Sequence, residues 1–410
     1  MNTTDFTRLP ARPSLEQYKK QAKDFAKLAN SGDAEVFQRV KKYHPHAAQL
    51  LDSKILSTNF ALTDAQLVIA REYGFDSWPK FAKHIEGLTR QNSPISRFEF
   101  AAEAIVTGDA GGLESLLRHH PELVRERSTR MHRATLLHYL GANGFEDYRQ
   151  KSPQNAVEIA RILLNARAEV DAVADAYGKS TTLGLVATSI HPKQAGVQIA
   201  LLEMLLCHGA AVDGIPEFRT PLIAALHNGR PEAAEFLARS GAQLNLEGAC
   251  GVGRLDVVES FFYDDGSLRT NATKAQMVSG FMWACEYGRN SIVEFLLKQG
   301  MDLRTQENTG MTGLHWAAIG GQSETIKLLL ERGAPLEMRN VYGATVLGQT
   351  LWSAINGDPD IGYVPVIEML IRAGAKIEDG SLAWLAEQEG RSSVVKAQIT
   401  QVLRNHGAQT

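Results

Sequence analysis

Residues 312–337 read TGLHWAAIGGQSETIKLLLERGAPLE: a short apolar run, a glycine pair, a longer amphipathic run and a Gly-Ala stop. In the longer run Ile326, Leu329 and Leu330 share one helical face by the i, i+3, i+4 rule. Gly333 supplies the left-handed residue that ends a helix, and Thr312 suits the N-cap of the first one. Ala317 and Ala318 are small where two helices must approach closely. The pattern predicts a helix-turn-helix unit that cannot bury its own apolar face, so such units must stack and share a core.

Variants of the second helix and its stop recur: LLNARAEVD from Leu163, LLCHGAAVD from Leu205, LARSGAQLN from Leu237, LLKQGMDLR from Leu296 and LIRAGAKIE from Leu370. The step from Leu296 to Leu329 is 33 residues. A T-[PG]-L-H-x-A-A opening followed by L-L-x-x-G-A closely resembles the ankyrin repeat, and the resemblance covers roughly residue 98 to the end of the chain. It implies an all-α solenoid of helix-turn-helix repeats with β-turn fingers, and a surface that binds rather than a named activity.

On this reading residues 1–13 form an extended arm and 14–90 a helical module. Residues 98–378 hold about eight repeats, three with insertions, and 379–410 form a capping repeat. First helices are expected near Phe98, Leu136, Thr182, Pro221, Leu246, Val278, Gly313 and Val346, and Glu387, Glu389, Arg391 and Lys396 give the cap a polar outer face. In the module, Ser14 with Gln17 and Thr63 with Gln66 read as capping boxes. Asp33 opens a second helix, Gly74 closes the third, and a last helix from Ser77-Trp78-Pro79 through His84 points Trp78, Phe81 and Ile85 toward the first repeat. The module resembles N-terminal segments of bacterial ankyrin proteins, a resemblance that implies no activity.

Three extra segments fall between first and second helices: FEDYRQKSPQN, IHPKQAGVQ and NGDPDIGYVP. Insertions at matching points emerge on one side of an array and often carry binding, or are loop growth tolerated at little cost. The fifth repeat, GACGVGRLDVVESFF, has a shrunken first helix whose Gly248, Gly251 and Gly253 are expected to leave the surface bare. Its Gly-x-Gly is a weak phosphate-loop signal without a preceding strand.

Charge changes little. Net charge is −3, too small to imply nucleic acid or membrane. Residues 1–97 hold 15 Lys+Arg against 10 Asp+Glu and the remainder 28 against 36, so an acidic array follows a basic module and nucleic acid is disfavoured as a groove ligand. Cys207, Cys250 and Cys285 fit no metal spacing and read as reduced core thiols. The first residues lack a signal-peptide core and no stretch reaches about 20 apolar residues. A cytoplasmic protein, with no membrane, metal or cofactor, is the expectation.

No HExxH, GxSxG, GxxxxGK[ST] or paired CxxC occurs, so catalytic residues stay unassigned. In ankyrin arrays the residue after the motif His, and those three and four further on, face the concave groove. By that resemblance the candidate groove residues are Tyr139, Asn143, His227, Asn228, Trp283, Glu286, Tyr287, Trp316, Gln349 and Trp352. Three of the five tryptophans thus fall in consecutive repeats beside small residues, an aromatic wall next to a hollow. The same tryptophans also suit packing between neighbouring helices. His138 and His315 hold the T-x-L-H position, where the resemblance implies hydrogen bonding between loops. His227 and Glu286 form the one plausible acid–base pair, two repeats or about 20 Å apart at about 10 Å per repeat. The finger loops add Tyr177-Gly178, Arg219, Asn308-Thr309-Gly310 and Tyr342-Gly343.

The function that follows is a groove holding an unidentified protein or peptide. The alternative is an enzyme or small-molecule binder with a pocket over the shortened fifth repeat, walled by the groove aromatics and the inter-helix insertions, especially near Asp358, Asp360 and Tyr363.

Overall fold

A computed structural model of the chain describes residues 6–45, 60–216, 218, 220–389 and 393–408; Arg219 and Arg391 lie outside them. The described chain is mostly helical. It divides into two compact units, Met1–Ala242 and Gln243–Thr410.

The first unit opens with α1 (Leu15–Asn30), α2 (Ala34–Tyr43), α3 (Leu62–Glu72) and α4 (Trp78–Thr89). The Ser14 hydroxyl accepts from the Gln17 amide at 3.4 Å, and the Asp33 carboxylate from the Glu35 and Val36 amides at 3.0 Å. The expected Thr63–Gln66 box does not cap α3. The helix starts at Leu62, which puts Thr63 inside the first turn, and Asp64 closes the end by accepting from the Ala61 amide at 3.1 Å. Tyr18, Phe25, Phe75, Phe81 and Ile85 make the module's core, with Trp78 half-buried against it. Phe81 meets Tyr18 edge-on at 4.9 Å and stacks on Tyr73 at 5.4 Å. The aromatic face of α4 therefore fills the module's own centre instead of plating the first repeat. The arm is tied down from Phe6 onward: Phe6 is buried over Gly74, whose φ of 84° and lack of Cβ leave room for the ring, and the Thr7 amide donates to Glu72 O at 2.9 Å.

Helix pairs follow: α5 (Pro94–Thr107), α6 (Ala110–His119), α7 (Ala156–Asn165), α8 (Thr182–Thr188), α9 (Ile190–Gln194), α10 (Gln198–Cys207), α11 (Pro221–His227) and α12 (Pro231–Arg239). The first helix of the second repeat is a 3-10 turn, Leu136–Gly141, ended by Ala142 at φ 44°. That turn packs between α5 and α8, and α8 packs on α11, giving a row of first helices; α7, α10 and α12 make the second row. Strands β1 (Val173–Ala174) and β2 (Ser180–Thr181) pair antiparallel, with Val173 opposite Thr181, as a finger hairpin.

The second unit repeats the scheme with α13 (Leu246–Gly251), α14 (Leu255–Glu259), α15 (Lys274–Glu286), α16 (Asn290–Lys298), α17 (Gly313–Ile319), α18 (Ser323–Glu331), α19 (Val346–Asn356), α20 (Tyr363–Arg372), α21 (Ser381–Glu387) and α22 (Ser393–Asn405). First helices α13, α15, α17 and α19 pack in sequence, as do second helices α14, α16 and α18, around one continuous core. Thr312 caps α17: its hydroxyl accepts from the His315 amide at 3.5 Å. Close approach between first helices is bought with glycine. A Cβ on Gly320 would sit 1.9 Å from the Glu286 carbonyl oxygen, and one on Gly280 2.8 Å from Cys250 Sγ.

Two expectations change here. The glycines of the fifth repeat are not a bare floor: Gly248 and Gly251 are buried, and Arg289 donates through Nε to Gly251 O at 3.2 Å. Cys207 is exposed, while Cys250 and Cys285 are core thiols.

Candidate functional site

The ten candidate residues separate into buried and accessible groups. In the first unit Tyr139, in the 3-10 turn Leu136–Gly141, is 2% exposed. Its hydroxyl donates to Glu146 Oε1 at 3.4 Å, and it joins a buried charge cluster. There Arg130 bridges Glu99 Oε1 (2.5 Å) and Glu146 Oε1 (3.2 Å), Arg149 reaches Glu99 Oε2 (2.9 Å), and His132 Nε2 lies 3.4 Å from Glu146. Burial alone would raise the Glu146 carboxyl, but Arg130 and then His132 outweigh it and hold it down at about 2; Arg130 and Arg149 hold Glu99 low in the same way. The first insertion supplies Phe145, Glu146 and Arg149, so its start folds into the core instead of projecting.

Asn143 is half-buried and sits in a hydrogen-bonded chain. The Tyr177 hydroxyl donates to Asn143 Oδ1 (2.9 Å), Asn143 Nδ2 donates to Thr188 Oγ1 (2.9 Å), and Thr188 donates to Gly184 O (3.0 Å). Tyr177 is in the left-handed region at φ 50°. These side chains and Asn228 line one recess of about 380 Å3. Asn228 is exposed, and its Nδ2 donates to Ala224 O at 2.8 Å; His227, the last residue of α11, is exposed. His227 and Glu286 belong to different units.

In the second unit Trp283 is 6% exposed, a core residue of α15. Glu286 and Tyr287 end that helix half-buried; burial pushes the Glu286 carboxyl up to about 8 against an opposing hydrogen bond from Tyr287. Trp316 is half-buried, its indole N–H sealed from solvent without an acceptor among the described residues. Gln349 is 7% exposed, accepting from Asn340 Nδ2 at 2.9 Å and donating to Ser353 Oγ at 3.3 Å. Trp352, by contrast, is 51% exposed. Of the three expected aromatic anchors, only Trp352 presents its ring broadly to solvent, because α15 and α17 are flanked by first helices on both sides.

Trp352 lines an open cavity of about 840 Å3 with Tyr342, Gln349, Glu378, Asp379 and Trp384. Tyr342 is the tip of the finger before α19, 78% exposed; Trp384 comes from α21. Glu378 pairs with Arg339 at 2.6 Å. Trp384 escaped the groove assignment because its segment read only as a cap. The signal was present: Trp283, Trp316, Trp352 and Trp384 follow at steps of 33, 36 and 32 residues, close to the repeat period.

The insertion before α20 forms a separate cavity of about 620 Å3. It is lined by Asp360, Tyr363 and residues of α22, and the Tyr363 hydroxyl donates to Ile319 O at 3.0 Å. The T-x-L-H histidines are structural. His315 Nδ1 is 2.9 Å from Thr312 Oγ1 and His138 Nδ1 is 2.7 Å from Thr135 Oγ1; burial lowers both rings to about 4, so both are neutral at pH 7. Among the described residues no His, Cys, Asp and Glu side chains group as metal ligands, and no helix is long and apolar enough to cross a membrane.

No curated protein matches the chain. The ankyrin-repeat family, in three copies, matches residues 249–381, which hold all of α14 to α20 and with them Trp283, Trp316 and Trp352. Repeats of this kind are generally protein-interaction modules. With the capped T-x-L-H turn of α17 and the packed rows of helices around it, that match identifies residues 249–381 as ankyrin repeats.

Proposed function

We propose that the chain is a binding protein that holds a protein or peptide partner on the first-helix and finger side of its C-terminal repeats, with Trp352 as an anchor. The observation that carries this reading is the cavity of about 840 Å3 over which Trp352 is half exposed. Large exposed aromatics in a concave site are the usual anchors of protein recognition. Trp283, only 6% exposed, is left out of this contact surface. The test is selection of a displayed random-peptide library on the intact chain, counter-selected on Trp352→Ala. Peptides retained by the first and lost on the second support the site; peptides that bind both equally place the contact elsewhere.

The Asn143–Tyr177–Thr188 recess favours a second reading, a small polar ligand held by hydrogen bonds. Recovery of a metabolite from the native chain, lost with Asn143→Ala, would bring that reading forward.

A further inference from the structure

The C-terminal cavity has a chemistry more specific than an aromatic anchor alone provides. Three aromatic side chains converge on it from different segments: Tyr342 from a finger tip, Trp352 from α19 and Trp384 from α21. Two carboxylates share its rim. Glu378 is neutralised by Arg339 at 2.6 Å, whereas Asp379 is exposed and has no ion pair or hydrogen bond to its side chain among the described residues. The rim thus carries one uncompensated negative charge beside aromatic faces. The unit around it is acidic as well, with 19 Asp+Glu against 14 Lys+Arg over residues 243–410. Aromatic faces are negative at their centres and attract cations, tryptophan most strongly. An anionic or purely polar group gains nothing from such a wall, and a purely apolar one leaves Asp379 unused.

We propose that this cavity takes a cationic side chain, lysine or arginine, from the partner's bound segment, its apolar stem against Trp352 and Trp384 and its charge toward Asp379. The proposal rests on the peptide-binding reading above. The volume, about 840 Å3, lies within the range of sites that enclose a drug-sized ligand, so neighbouring residues of a short segment fit beside the cation.

The experiment uses the full chain and the Trp352-dependent peptides from the display selection. Each selected peptide is remade with its Lys or Arg replaced by norleucine, and both forms are titrated against the intact chain and Asp379→Asn at low and high salt. The expected result is a basic residue shared by the selected peptides, at least tenfold weaker binding on norleucine replacement, and a smaller penalty with Asp379→Asn. Binding of the basic peptides should also weaken as salt rises. Trp352-dependent peptides that lack a basic residue, or whose norleucine forms bind equally well, overturn the cation assignment and leave the binding site standing. Failure to select any Trp352-dependent peptide overturns both.

Discussion

At the scale of single residues, exposure separates roles that sequence position assigns alike. Trp283 and Trp352 both fall at expected groove positions of their repeats, yet one is 6% and the other 51% exposed. Trp283→Ala is expected to cost about 3–5 kcal/mol by leaving a cavity, a loss read as a lower thermal midpoint. Trp352→Ala should cost about 1 kcal/mol or less. Glu286 gives a pH test. Its carboxyl, ordinarily near 4.5, rises to about 8 on folding. A raised acid favours the folded state most below its unfolded value, and that contribution is lost as pH rises through the folded value. Glu286→Gln should therefore be nearly neutral at pH 4, and at pH 9 it should stabilise by on the order of 2 kcal/mol. Denaturant midpoints at the two pH values measure the difference; equal effects at both would show that the carboxyl does not titrate abnormally.

At the scale of elements, the period and the capping residues were readable because they are local. Expected first-helix starts at Thr182, Pro221, Leu246, Gly313 and Val346 coincide with observed helix starts. The 3-10 turn at Leu136–Gly141 was not readable, since it follows from a long-range constraint. Arg130 and Arg149 need the carboxylates of Glu99 and Glu146 in a dry interior, and Gly141 must pass Leu185, 2.6 Å from where its Cβ would stand. For the same reason the FEDYRQKSPQN insertion looked like a surface loop, while its Glu146 is fully buried. Glu146→Gln leaves two buried guanidiniums short of a counter-charge and should cost about 3–5 kcal/mol at neutral pH. The Glu146 contribution is complete above its ordinary 4.5 and fades as pH falls toward the folded value of about 2. The gap between variant and parent should narrow over that interval, as acid-unfolding curves will report; a constant gap would contradict the charge cluster as its source. Helix spacing offers a further test. Gly320→Ala forces a methyl against the Glu286 carbonyl, with an expected cost of about 1–3 kcal/mol. Calorimetry of the full chain would show it as a fall in the thermal midpoint.

At the scale of the whole molecule, the repeat architecture was legible, and the site was legible only in part. Periodicity identifies the row of first helices, and through it Gln349 and Trp352. It is silent on which members of that row are covered by neighbours, which is why Tyr139, Trp283 and Gln349 turn out buried. Trp384, Glu378 and Asp379 belong to the last segments, whose departure from the repeat pattern hid their place beside Trp352. A binding surface on an array is thus set by where the array stops covering its own aromatics, a property of neighbouring repeats more than of any one. The most direct measurement is the dissociation constant of a library-selected peptide for the intact chain and for Trp352→Ala, taken with the thermal midpoint of each. The expected result is a loss of about 2 kcal/mol or more in binding with the midpoint nearly unchanged. Equal affinity in a fully folded Trp352→Ala variant would contradict the assignment of partner binding to this cavity.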